Sequence, residues 1–168
     1  HLFFVAGLLL LVGWSMRLVY TVTAFTVGHS VTLALVSLGV VTNPEALIEW
    51  LIALSIWVLA FELSRPGKHS RLWQRPWYLA ALFGLLHGMG FAGALAETGL
   101  PQLHLPTALL FFNVGIELGQ LAFIALLTVV GTFVLRLSQA SWIKIAPVYV
   151  LGAVSTYWLL DRTGALLG

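Results

Sequence analysis

Two histidines sit in the middle of long apolar stretches: His29 within Phe25-Thr26-Val27-Gly28-His29-Ser30, and His87 within Phe83-Gly84-Leu85-Leu86-His87-Gly88. A third, His1, begins another apolar run, and a fourth stretch carries Asn113, Glu117 and Gln120 at i, i+4 and i+7, the spacing that puts side chains on one face of a helix. Three imidazoles, a carboxylate and an amide are the donor types that suit a borderline divalent transition metal, such as nickel, cobalt, zinc or copper. With no cysteine in the chain, thiolate metal sites, iron–sulfur clusters, disulfides and Cys nucleophiles are excluded within it. The same histidines also suit hydrogen-bonded packing or axial haem ligation, and a metal-activated hydrolase is a further alternative. That last one lacks an HExxH motif or an obvious Ser/His/Asp set to support it. The nearby Gly84, Gly88 and Gly90 leave room beside the His87 ring for a ligand. Glu117 has a second role open to it, as a proton acceptor.

The elements that must position these residues follow from composition. Of 168 residues, 60% are hydrophobic and 8% charged, with a mean hydropathy of +1.00. That is too little charge to clothe a soluble domain of this size, so the fold expected is all-α, a polytopic transmembrane bundle occupying residues 1–168 as a single domain. Apolar runs at 2–13, 20–41, 46–61, 78–96, 105–135 and 145–160 give six segments. The first is too short to cross ~30 Å of hydrocarbon and reads as a helix truncated at its N-terminal side. Asn43-Pro44 is expected to open the third segment, with Pro at its first helical position, and Arg65-Pro66-Gly67 to close it. The fifth is long enough to be tilted, kinked near Gly115 or Gly119, or extended beyond the bilayer. Gly84/Gly88 and Gly115/Gly119 form GxxxG pairs, which let helices approach closely; the second pair is expected to bring the Asn113 face near a neighbour.

Every Lys and Arg except Arg162 falls in alternate breaks: Arg17 in the first, Arg65, Lys68, Arg71 and Arg75 in the third, Arg136 and Lys144 in the fifth. The positive-inside rule assigns that side to the cytoplasm and both ends of the chain to the outside. Trp14, Trp73, Trp77, Tyr78 and Trp142 fall at the same level, as interfacial aromatics do. The basic excess is therefore topological, and no nucleic-acid partner is expected. Counting inward at 1.5 Å per residue, His29 and His87 both lie ~13 Å deep, while Asn113 and Glu117 lie ~12 and ~18 Å from the other face. His1 sits at mid-to-outer depth. Each such side chain needs a partner or a polar cavity to offset the cost of burial in hydrocarbon. Glu49, about one turn inside the outer end of the third segment, is a candidate recruiter of cations. Glu62 is expected to snorkel or pair with Arg65, and His69 and His104 to be solvated.

At these residues the sequence resembles the HupE/UreJ family, specifically its second branch. The likeness rests on residues 25–35, on Glu49-Trp50-Leu51-Ile52-Ala53-Leu54-Ser55, on residues 83–92, and on Phe112-Asn113-Val114-Gly115-Ile116-Glu117-Leu118-Gly119-Gln120-Leu121. The family is associated with hydrogenase and urease accessory functions, and one branch with nickel and cobalt permeases. The resemblance implies that Glu49, His29 and His87 match polar positions of the family and that His1 is the last His of a motif whose earlier His and Asp precede residue 1. The permease branch carries a denser His stretch on its fourth helix than Leu86-His87-Gly88-Met89-Gly90. The function expected is transport of Ni2+ or Co2+ across a bacterial inner membrane, through a site of His1, His29, Glu49, His87, Asn113 and Glu117. Neither enzymatic activity nor haem is expected; an accessory or anchor subunit is the alternative. The partners are the metal ion and the lipid bilayer, with a homo-oligomer or a soluble domain before residue 1 as further expectations.

Overall fold

The computed structural model describes residues 1–65, 74–97, 104–137, 140 and 142–167, of residues 94, 96, 97 and 144 the backbone alone. Among the described residues the chain forms six helices: α1 (Leu2–Val12), α2 (Met16–Ser37), α3 (Glu45–Ser64), α4 (Pro76–Glu97), α5 (Leu105–Leu137) and α6 (Trp142–Leu167). There is no strand among them, so the all-α bundle expected from composition is what forms. Among the described residues three helices, α2, α3 and α5, are long and apolar enough to cross a membrane by length and composition, and α1 is a shorter apolar helix. Helices satisfy their own backbone polar groups, which is why apolar segments of this length take that form in hydrocarbon.

The outer face of α5 is not that of a water-soluble bundle. On α5, Phe111 and Leu118 are 70% and 63% exposed while Gln120 is 1% exposed. Apolar residues face outward and the amide faces in, as expected where lipid is the solvent.

Segment boundaries differ from expectation at several ends. Helix α6 continues to Leu167, so Arg162 lies within it rather than beyond it. Pro44 is the N-cap of α3 rather than its first helical residue, and the Asn43 amide donates across to the Met89 carbonyl (3.1 Å) instead of capping. The short link between α1 and α2 needs Gly13, whose φ of 73° closes α1 with its N–H on the Leu9 carbonyl (2.9 Å). The expectations for Pro66, Gly67, Lys68, His69, Arg71, Trp73 and Pro101 lie outside the described residues.

The two most extensive pairings are α2 with α4 and α3 with α6. Helices α2 and α4 run parallel in contact made by glycine. A Cβ on Gly84 would meet the Phe25 carbonyl, one on Gly88 the His29 carbonyl, and one on Gly28 the Ala81 carbonyl. The Thr32 hydroxyl adds a bond to the Leu85 carbonyl at 2.6 Å. This register puts His29 and His87 at one level, as the depth count predicts. Gly115 and Gly119 do not behave alike: a Cβ at either would meet nothing within 4 Å. The reason is angular. At 100° per residue, Gly115 stands ~200° around the helix from Asn113, so the polar face and the GxxxG face point opposite ways.

Helix α1 contacts α2, α3, α5 and α6. Its Phe4, Val5 and Leu8 are fully buried in a core with Leu18, Phe25 and Leu59. A second apolar cluster, Leu33, Ala92, Leu95, Leu105 and Leu109, fills the far ends of α2 and α4 against α5. The histidines lie between the two.

Candidate metal site

Three imidazoles meet where α1, α2 and α4 converge. The His1 ring centroid is 5.2 Å from that of His29 and 5.7 Å from that of His87, and Phe25 stands beside all three. His29 is fully buried and His87 nearly so. The polar face of α5 joins them from the other side. Asn113 Oδ1 lies 3.4 Å from His29 Nδ1, Gln120 Nε2 lies 2.5 Å from His1 Nε2, and the Thr26 hydroxyl donates to Gln120 Oε1 at 3.1 Å.

The hydrogen-bond partners select which ring nitrogen of two histidines carries the lone pair. The Asn113 amide NH2 donates to the Leu109 carbonyl at 2.8 Å, which turns Oδ1 toward His29. An amide oxygen only accepts, so His29 Nδ1 carries the proton and Nε2 is bare. That Nε2 is buried without a hydrogen-bond partner. A buried polar atom left unsatisfied costs ~1–3 kcal/mol, so its persistence calls for a ligand or a function. At His87 the same logic runs through Ser55. The Ser55 hydroxyl has one proton: with it on the Ile52 carbonyl (2.7 Å), its oxygen accepts from His87 Nε2 at 2.9 Å and His87 Nδ1 is the bare nitrogen.

Glu49 and Glu117 stand apart from the rings. Glu117 Oε1 accepts from the Thr23 hydroxyl at 2.6 Å on the α2–α5 seam. Glu49 Oε2 is 3.4 Å from Arg162 Nε, near the start of α3 and the end of α6. Glu49 is nonetheless connected to the histidines by space, because one cavity of about 270 Å³ is lined by His1, His87, Glu49, Phe91, Trp158 and Arg162. Glu62 pairs with Arg65 (3.7 Å) but is 4% exposed, buried rather than snorkelling. His104 is exposed, as expected of a solvated residue. Among the described residues no three His, Cys, Asp or Glu side chains form a group that could hold a metal ion as they stand. The ring nitrogens are turned to Asn113, Ser55 and Gln120 instead.

Sequence reading missed Ser55 and Arg162. A serine in an apolar helix ordinarily bonds back to its own backbone, as Ser55 also does, so its type gives no signal. Gln120 was legible in principle, from its i+7 spacing to Asn113.

The chain matches the family described as HupE / UreJ protein over residues 1–162 and belongs to that family. Comparison with curated proteins and with solved structures gives no match. The family and the three apolar helices together mark a membrane protein, and membership supports a role in metal transport in general, with transport or accessory roles rather than catalysis.

Proposed function

We propose that this protein carries a divalent transition-metal ion, nickel or cobalt, inward across a bacterial inner membrane. The observation that carries this reading is the bare, buried Nε2 of His29 within a group of three imidazoles. The ion is the substrate. It exchanges hydration water for His29 Nε2 and His87 Nδ1, with Asn113 and Ser55 holding the rings in the tautomers that expose those nitrogens. His1 joins when Gln120 releases it. Coordination that must be assembled rather than a closed cage is what a transport site needs in order to let go. Glu49 attracts the ion at the outer end of the cavity, and Glu117, half-buried on the α2–α5 seam, accepts protons or balances charge.

Access is one-sided in this arrangement. The cavity joins Glu49 and Arg162 to His1 and His87, with His29 packed behind the His1 ring, whereas the Phe4, Leu8, Leu18, Phe25 and Leu59 core fills the opposite end. That end carries Arg17, whose guanidinium bonds the Gln74 carbonyl and so brings the first and third breaks together, with Arg65 and Arg75 nearby in sequence. By the positive-inside rule it is cytoplasmic, which makes the conformation outward-accessible and the chain multi-pass, with α6 ending on the external side.

Uptake of radiolabelled nickel and cobalt into proteoliposomes tests the reading. Wild type is expected to take up one or both, and His29→Ala and His87→Ala to lose uptake at matched folded protein. Wild type that is folded but inert overturns it in favour of an accessory or anchor role.

A further inference from the structure

The cavity that ends at His1 and His87 has a cation at its other end. Arg162 Nε is 3.4 Å from Glu49 Oε2, and its Nη1 is 3.8 Å from Asp161 Oδ2. The next residues along each helix are also joined, Trp50 Nε1 donating to Thr163 Oγ1 at 2.9 Å. Two adjacent links therefore tie the first turns of α3 to the last turns of α6, and both ionic side chains remain about half exposed. The indole bond fixes the helices, so the guanidinium can swing without the helices parting. An ion approaching His1 and His87 through this cavity meets Glu49 already paired with the Arg162 guanidinium.

We propose that Arg162 is a displaceable counter-ion that governs cation access to the cavity: it holds Glu49 while the cavity is empty of cations and yields it to an incoming divalent ion. This deepens the transport reading and rests on it for the identity of the cation. Two carboxylates face the guanidinium, and losing Glu49 to a divalent ion leaves it Asp161 on its own helix, so the exchange strands no charge. The half-exposed setting keeps the pair weak enough to break, since exposed ion pairs contribute little to stability.

The chain contains no cysteine, so a single one introduced at Ile52, which lines the cavity one turn from Glu49, reports access by itself. Labelling of purified Ile52→Cys protein with cationic and anionic methanethiosulfonate reagents is compared with and without Arg162→Gln or Arg162→Lys. Removing the charge should speed the cationic reagent and slow the anionic one, by ~4-fold for a unit charge near 5 Å in water-like surroundings. Arg162→Lys should match the parent. Unchanged rates with Arg162→Gln, or equal change with both reagents, overturn the proposal whatever the uptake result. In proteoliposomes Arg162→Gln should lower the KM for cobalt and Glu49→Gln raise it; a raised KM in both overturns the exchange. An inert wild type with the charge-selective labelling intact removes the transport reading and leaves the cation gate standing.

Discussion

Asn113 Oδ1 faces His29 Nδ1 at 3.4 Å because the amide's other end is held by the Leu109 carbonyl one turn back on the same helix. An amide so clamped cannot flip, so it dictates the tautomer of a buried ring on another helix. Partners of this kind set metal affinity without touching the metal, and their loss typically costs ~10–100-fold. Asn113→Leu is expected to raise the KM for cobalt uptake by ~10-fold or more, read at matched folded protein because the His29 N–H also loses its acceptor. Equal KM values would remove the tautomer argument.

Ser55 performs the same service for His87. Ser55→Ala strips the acceptor from a buried N–H, and the expected loss is ~1–3 kcal/mol, read as a lower unfolding midpoint in detergent. Ser55→Thr, which retains the hydroxyl, should recover most of it.

The two GxxxG pairs predict opposite outcomes. Gly84→Ala and Gly88→Ala each drive a methyl into α2 backbone and should cost ~1–3 kcal/mol or prevent folding. Gly115→Ala and Gly119→Ala meet open space inside a helix, so each should leave stability unchanged or raise it, by up to ~1 kcal/mol. Loss of stability at Gly115 that depends on protein concentration would point to a second copy seated on that face.

Glu117 separates structure from function by an isosteric swap. Glu117→Gln keeps an oxygen for the Thr23 hydroxyl, so thermal stability should be retained while uptake falls. Glu117→Leu removes the acceptor as well and should lower both. Full uptake by Glu117→Gln would confine the carboxylate to packing.

Much of this molecule is local, and local properties are written in order along the chain. Apolar run length sets the helices, and a rise of 1.5 Å per residue sets depth, so the common level of His29 and His87 follows from counting inward from Tyr20 and Tyr78. The face shared by Asn113, Glu117 and Gln120 follows from 100° per residue, and so does the outward direction of Gly115, which the GxxxG pattern alone obscured. What tertiary structure decided is everything that depends on two segments meeting. Arg162 finds Glu49 only because α6 runs antiparallel along α3, and Ser55 finds His87 only because α3 also packs on α4. Which nitrogen of each imidazole is left bare is of the same kind. A neutral ring has two tautomers nearly equal in energy, and a hydrogen bond to a residue dozens of positions away is enough to choose between them.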